Sequence, residues 1–539
     1  MYTAPYRTNS CPTLHLRAKT VWEVHGIIGP FARQLRTAGP AADPTVAEDT
    51  PAPAPAPAPA DAARAPADAA RVPLLQAASA PWDVVVVGGG NAALVAAITA
   101  AERGRSVALL EAAPRHLRAG NTRHTRNIRC VHTESDRFMP GTYLAEELFA
   151  DLASVGRGAT RPELARIAVG RSAEAVAWMD QHGVSWQRPL RGTLGLARTN
   201  RFFLGGGTAL ANHYYTVAQR AGVNLLYEAR VADLELEDAS FATVVVALGG
   251  EEVRIRARAV VVACGGFEAN LPWLRRYWGA AADQYIVRGT PHNDGAVLAR
   301  LLDLGAATCG DARGFHAIAV DARSPKFDGG IATRLDCLPF GIVVNREGRR
   351  FSDEGADIWP KRYASWGGLI ARQPGQIAYA IVDASMTGRF IQPLYPPITA
   401  GTLPDLARAL ELDPDTLERT VTEFNAHCDG RSRLDLSQLD HVATSNLDPP
   451  KTNWARPLDH PPYSAFPLRP GITFTFMGVA INERAQILTQ AGSPFARLFA
   501  AGEIMAGNVL TDGYLAGLGL TIGTVFGRIA GHEASQVAD

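Results

Sequence analysis

Three small residues and one acid carry the first chemical signal in this chain. Gly88, Gly90 and Ala93 stand as G-x-G-x-x-A directly after DVVVV, Asp83 to Val87, and Glu111 follows downstream. Glycines at this spacing let backbone N–H groups approach a pyrophosphate at a helix N-terminus, where the helix dipole favours negative charge. An acid about 20 residues further on is placed to hydrogen-bond a ribose 2′-OH. The elements that hold these residues can be read around them. DVVVV suits a buried parallel strand. A helical stretch runs from about Asn91 to Arg103, and Val107 to Leu110 reads as a second strand closed by Glu111. Strand, turn, helix, strand and acid together make a dinucleotide-binding βαβ unit, which a glycine triplet alone would not establish.

The chain has 539 residues, enough for two or three domains and a sizeable core. Its charges balance at 53 basic against 53 acidic, which argues against nucleic acid or an anionic membrane surface as a partner. Six cysteines (Cys11, Cys130, Cys264, Cys309, Cys337 and Cys428) are scattered singly. With no CxxC or CxxCH, the sequence codes for no haem or iron–sulfur cluster of its own, and this usage suits a reducing, cytoplasmic setting. No uncharged apolar run of about 18 residues occurs, so no direct membrane span is expected. Residues 1–80 read as a disordered Pro/Ala-rich extension with PAPAPAPAPA at 51–60. It lacks the apolar core of a secretory signal and is assigned no catalytic role.

From Pro81 onward strands and helices alternate, as in an α/β fold. Residues 162–182 read as one helix. Gly205, Gly206 and Gly207 precede another from about Thr208 to Ala221, and a strand follows near Asn224 to Tyr227. Ala259 to Cys264 (AVVVAC) is a buried strand ending in Gly265-Gly266. Residues 317–453 differ in texture, with many aromatics and prolines, a strand at 342–345 and a helix at 414–427. The expected architecture is a Rossmann-like FAD-binding domain over 81–316, an inserted α+β capping domain over 317–453, and a return to the first domain over 454–539. That return carries LFAAGE, Leu498 to Glu503, and a Gly-rich turn at 513–519 that opens the last helix. A second strand-glycine-acid element of this kind serves the isoalloxazine end of a flavin, and a nicotinamide enzyme would not need it.

The blocks VVVVGGGNAALVAAITAAERGRSVALLEAAPR, AGNTRHTRNIRC, VVACGGFEAN, NREGRRFSDEG and AAGEIMAGNVL resemble the fumarate reductase/succinate dehydrogenase flavoprotein superfamily. RHTRNIRCVH, ARTNRFFLGGG, FDGGIATRLDC, DIWPKRYASWG, KTNWARP and LRPGITFTFMG most resemble its FAD-dependent tricarballylate dehydrogenases. The resemblance covers about 81–535. It implies FAD in the first domain and a mobile cap that closes over substrate. Gly88, Gly90, Ala93 and Glu111 would serve the ADP half. Asn121, Thr122 and Gly266 would lie beside the flavin, Glu503 would bind the ribityl chain, and the helix start at Gly517 and Leu518 would face the pyrimidine edge. His124-Thr125 is similar to the pair through which some relatives attach FAD covalently; non-covalent FAD is expected here.

The resemblance also implies a substrate site. His316 would sit at the domain junction, Thr333 on the cap, and Arg362 would move the proton, with Arg349, Arg350 and Lys361 as competitors. Four positions depart from the fumarate reductase pattern: Arg334 replaces a relay glutamate, Cys337 a relay arginine, Phe474 a histidine and Tyr514 an arginine. Gaining Arg334 suits an extra carboxylate, since guanidinium grips carboxylate in bidentate fashion. Arg198, Arg201 and Arg288 are further candidates. The implied reaction is oxidation of tricarballylate to cis-aconitate, with hydride to flavin N5 and a proton to Arg362, or to Tyr514 as the competing base. Electrons would pass to a separate membrane-bound iron–sulfur/haem protein, which would place the chain at the inner face of a membrane. Three alternatives stay open: a 3-ketosteroid-type dehydrogenase, which also uses a tyrosine near this C-terminal block; a fumarate reductase-like flavoprotein; and a flavin component of cobalamin (precorrin) biosynthesis.

Overall fold

The computed structural model describes residues 73–155, 161–188, 196–236, 241–248, 251–356, 363–428, 438–511 and 513–537. Residues 1–72 lie outside the described residues, as do two proton-transfer candidates, Lys361 and Arg362. The segment 73–80 is ordered: residues 73–77 are helical, Leu74 and Ala77 are buried, and Trp82 Nε1 donates to Ala77 O at 2.8 Å.

The first strand, β1 (Trp82–Val87), is apolar on both faces, as a strand covered on both sides must be. Helix α1 (Asn91–Ala101) follows the glycine turn and leads into β2 (Val107–Leu110), which pairs parallel to β1 in the register Val84↔Val107 to Val87↔Leu110. Helix α2 (Gly206–Arg220) then delivers β3 (Asn224–Leu226), parallel to β2. An antiparallel excursion, β4 (Arg230–Leu236) and β5 (Ala242–Leu248), feeds β6 (Glu251–Val262), whose second half lies parallel to β1 on its other side. The helix expected at 162–182 is two helices, Pro162–Gly170 and Ser172–Gln181. Ser172 makes the break useful: its hydroxyl donates to Val169 O and accepts from Val131 N. Side-chain bonds to backbone of this kind compete with helix continuation.

A second sheet is built from β7 (Ile286–Val287), β8 (Phe315–Asp321), β9 (Ile342–Asn345), β10 (Ala378–Val382), β11 (Ile398–Ala400) and β12 (Tyr463–Thr475). Its spine is β12, a 13-residue strand that pairs with β7, β8, β10 and β11. The chain then returns to the first sheet through β13 (Gln486–Leu488) and β14 (Pro494–Ala500), the latter parallel to β6. It ends in α3 (Leu518–Val537). Among the described residues no helix is long and apolar enough to cross a membrane.

The last helix rests on the first. Gly523, Gly527 and Gly531 recur every four residues on α3, so they share one face, and that face meets Ala92, Val95 and Ala96 of α1. A Cβ at Gly527 would stand 2.7 Å from Ala92 O, and one at Gly531 2.3 Å from Ala96 O. The approach of the two backbones seats the N-termini of both helices on the same cleft. A Gly527→Val substitution is therefore expected to destabilise the protein by about 2 kcal/mol or more and to lower FAD retention. Thermal unfolding and the flavin absorbance of purified protein check this; a variant that melts and binds like the parent would contradict it.

Candidate active site

The turn after β1 opens onto a cleft that runs across the C-terminal ends of the parallel strands. This is where open α/β sheets bind ligands. Gly88 has φ +114°, and a Cβ there would lie 2.3 Å from Ala263 O, so only glycine lets β1 and β6 close at this point. Gly90 stands at the N-cap of α1 with no capping side chain, and Gly90, Asn91 and Ala92 line the cleft. Ala93 is fully buried one step behind them. Glu111 closes β2 and is buried. Its Oε1 accepts from Ala113 N, and its Oε2 from Ala119 N, both at 2.9 Å.

Further along, Asn121 and Thr122 project from a helical turn, Gly120–His124. Thr122 Oγ1 accepts from Asn91 N at 2.7 Å, which ties this turn to α1. Asn121 is held on three sides: its amide donates to Glu268 Oε1 and Thr473 O, and its oxygen accepts from Thr290 N. Glu503 faces the cleft and accepts from Thr475 N at 2.9 Å. Gly266 makes this contact possible, because a Cβ there would fall 2.2 Å from Thr475 Oγ1 and 2.3 Å from Glu503 Oε1. Gly517, with φ +81°, packs against Asn200 and Arg129, and Leu518 is buried; Gly519, Leu520 and Gly523 of α3 are the residues that reach the cleft wall. Two helix N-termini, a buried acid at the strand end and a row of amide and hydroxyl groups suit a diphosphate, a ribose and a polyhydroxylated chain in that order. The residues present fit FAD.

His124 also lines the cleft. Its Nε2 is hydrogen-bonded to Asp328 Oδ1 at 2.8 Å, and Arg123 pairs with the same oxygen at 2.5 Å. Burial lowers its pKa, with Asp328 opposing.

The far end of the cleft is cationic. His316 enters from the start of β8, where a register shift between His316 and Ala317 re-aims the strand. Its Nε2 lies 3.0 Å from the Tyr363 hydroxyl, and its ring stands edge-on to Tyr514 at a centroid distance of 3.9 Å. Arg334 lies over the Tyr363 ring with its guanidinium carbon 4.2 Å from the centroid, and pairs with Asp336. Arg126 approaches the same aspartate at 4.0 Å. Arg288, buried on the cleft wall, donates to Thr473 Oγ1 at 2.8 Å, while its Nε and Nη1 find no protein acceptor among the described residues.

These groups perturb one another. Burial and the charge of Arg334 push Arg126 and Arg288 down to about 10. Burial, with Arg288 and Arg334 adding to it, holds His316 well below the ordinary imidazole value, so it is neutral at pH 7. Tyr363 is raised by burial against the pull of Arg334, Arg288 and Arg126. Tyr514 is also raised by burial, and its oxygen accepts from Gly519 N at 3.1 Å. The pull of Arg288 toward the phenolate is outweighed by the loss of water around Tyr514.

The structure thus brings four of the sequence candidates, His316, Arg334, Tyr514 and Arg288, into one neighbourhood. Thr333 is buried nearby, its hydroxyl spent on Gly330 O at 3.1 Å within its own turn. Other candidates lie elsewhere. Arg198 pairs with Glu147 at the surface. Arg201 pairs with Asp136 and sits on Phe138 and Trp186. Arg349 is exposed, and Arg350 is consumed by Glu354 and the carbonyl oxygens of Pro449 and Pro450. Cys337 is buried in the core, and Phe474 lines the cleft beside Tyr514. Three residues escaped sequence reasoning: Arg126, Tyr363 and Glu268. Each sits inside a block already singled out (RHTRNIRC, PKRYA and GGFEAN), next to a residue that drew the attention.

A family model described as FAD binding domain matches residues 83–520. The chain is 26% identical over 476 residues to a fumarate reductase (cytochrome) of Shewanella frigidimarina, covering 85% of this chain and 78% of that protein. It is 27% identical over 492 residues to the urocanate reductase of Eggerthella lenta, covering 85% and 75%. Its fold is similar to that of 3-ketosteroid-Δ4-(5α)-dehydrogenase from Rhodococcus jostii RHA1, with a TM-score of 0.64 at 22% identity, covering 85% and 97%. With the glycine turn, Glu111, Asn121 and Glu503 arranged along one cleft, the chain belongs to the FAD binding domain family and is an FAD-dependent oxidoreductase of the fumarate reductase/succinate dehydrogenase flavoprotein superfamily.

Proposed function

We propose that the protein oxidises a CH–CH bond of a small polycarboxylate, with tricarballylate to cis-aconitate as the reaction, and passes the electrons to a separate membrane-bound iron–sulfur/haem protein. One observation carries the substrate class. Arg126, Arg288 and Arg334 all act on Tyr363; Asp336 pairs with Arg334 and approaches Arg126, while Nε and Nη1 of Arg288 find no protein acceptor among the described residues. Burying like charges this way is unfavourable unless an anion completes the set. A substrate with several carboxylates completes it; a steroid, which is apolar, brings no charge to the free donors of Arg288. The relatives named for fumarate and urocanate reduction act on carboxylates too, which supports the same class. The similarity of fold to the ketosteroid enzyme does not extend to a pocket without charge.

FAD, when bound, supplies a two-electron acceptor for hydride. The chain's own residues do the rest. Arg288 and Arg334 hold carboxylates beside the bond to be oxidised, and their charge stabilises the negative charge that develops as the neighbouring carbon loses its proton. Phe474 and the Tyr514 ring exclude water from that end. His316, neutral and bonded to Tyr363, fixes the phenol without adding charge. Arg362 is the proton acceptor in this reading and is the chain neighbour of Tyr363; Tyr514, kept protonated by burial, serves better as a hydroxyl donor. In this reading the electrons leave the flavin by an external route.

Anaerobic titration of FAD-loaded protein should bleach the flavin with tricarballylate and leave it unchanged with a 3-ketosteroid. Arg126→Met and Arg288→Met should each weaken tricarballylate binding by about 2 kcal/mol or more, roughly 30-fold, at unchanged FAD content. Bleaching by the steroid alone would refute the reading.

In single-turnover flavin reduction, Arg362→Ala is expected to slow the reaction at least about 100-fold, the range lost with a general base, whereas Tyr514→Phe slows it less. Near-parental reduction by Arg362→Ala would remove that residue from the role.

A bound polyanion favours the charged forms of Arg126 and Arg288, so binding takes up protons near their pKa of about 10. Affinity measured by equilibrium titration should stay level from about pH 7 to about 9 and fall as pH rises through about 10. His316, already neutral, adds no inflection near its ordinary value of about 6.5.

A further inference from the structure

Two carboxyl groups meet where the middle of the cleft passes Asn121, and the chemistry above uses only one of them. Glu268 is fully buried. Its Oε1 accepts from Asn121 Nδ2 at 2.6 Å and from Asn293 Nδ2 at 2.7 Å. Its Oε2 receives no amide or hydroxyl donor among the described residues, and the group within hydrogen-bond reach of Glu268 is the Glu503 carboxyl. Glu503 in turn takes Thr475 N on Oε1 and lines the cleft. Two facing carboxyls hydrogen-bond to each other only if one keeps a proton, because like charges this close do not both ionise in a buried site.

We propose that Glu268 and Glu503 are a proton-holding pair of the flavin cleft, carrying one proton when the flavin is oxidised and two when it is reduced. The geometry supplies both halves of the argument. The pair is shut in by Gly265-Gly266 behind it and by Asn121, Asn293 and Thr475 around it, so its charge is poorly screened. Asn121 and Glu503 both reach the cleft wall, so a charge gained there is felt by the pair across one layer of atoms.

The surrounding titratable groups do not compete. Tyr514 and Cys264 feel Glu503, and burial keeps both protonated, the cysteine pushed up to about 12; Asp294, which also acts on Cys264, is paired with Arg230. Thr473 on β12 is bonded to Arg288, the cation of the substrate end. Burial raises both carboxyls above the ordinary range, and for Glu503 the charge of Glu268 adds to it. A negative charge added to the flavin raises them further and draws in the second proton. The inference rests on FAD occupying the cleft and is independent of which substrate is oxidised.

The balance is explicit. At an electrode, two electrons and one proton from buffer convert the flavin to its reduced anion, and a second proton from buffer joins the carboxyl pair. With substrate as reductant, hydride brings the electrons, and the pair takes its proton from solvent or from the proton the substrate releases. The test is the pH dependence of the flavin midpoint potential in the FAD-loaded full-length protein from about pH 6 to about 8. The parent is expected to show two protons per two electrons. Glu268→Gln, which keeps the oxygen that accepts from Asn121 and Asn293, is expected to show one. Equal proton counts in the two proteins overturn the proposal. Should Glu268→Gln fail to hold FAD, reduced-minus-oxidised infrared spectra of the parent decide it. A protonated-carboxyl band that grows on reduction and shifts in D₂O is expected, and no such band refutes the pair.

Discussion

Buried positive charge short of partners governs the substrate end of this protein. Arg334 lies over the Tyr363 ring, Arg288 and Arg126 also act on that phenol, and the aspartate at position 336 meets Arg334 and Arg126. Burial disfavours the charged states of Arg126 and Arg288, and the charge of Arg334 adds to both effects. A fold tolerates such a cluster because the missing anion arrives with the substrate, so the unfavourable energy of the free site becomes part of what makes binding selective. The neutral His316 and the protonated Tyr363 and Tyr514 fit this arrangement. Polar groups placed among cations supply hydrogen bonds without altering the charge balance.

One strand ties this end to the flavin layer. β12 pairs with four others in the second sheet, delivers Thr473 and Phe474 to the cleft and bonds Glu503 through Thr475 N. Thr473 receives both Arg288, from the end of β7, and Asn121, from the nucleotide-binding layer. A single backbone segment therefore couples the position of a substrate-binding guanidinium to the amide beside the flavin. The glycine face of α3 completes the frame from the other side, since its closeness to α1 decides where both helix N-termini point.

The nucleotide half was legible in the sequence because its determinants are local. β1, the glycine turn, α1, β2 and Glu111 occupy one continuous stretch, and the strand at 107–110 and the helix at 414–426 fall within a residue or two of where patterning puts them. The long helix expected at 162–182 was misread as unbroken because a serine bonding back to its own chain looks no different in sequence from one that faces water. The arginines were the hardest to sort. Arg198, Arg201 and Arg288 look equivalent as letters, yet the first two are neutralised by acids far away in sequence and the third is left with free donors in the cleft.

The sequence by itself determined the cofactor-binding scaffold and the stock of cationic residues, because glycine turns, strand runs and strand-end acids act through their immediate neighbours. Tertiary structure alone decided which cations share a site, that Tyr363 and Arg126 join them, and that Glu268 faces Glu503. Those pairings span tens to hundreds of residues of chain, and electrostatic energy depends on distance in space and on burial, neither of which is written in the order of the letters.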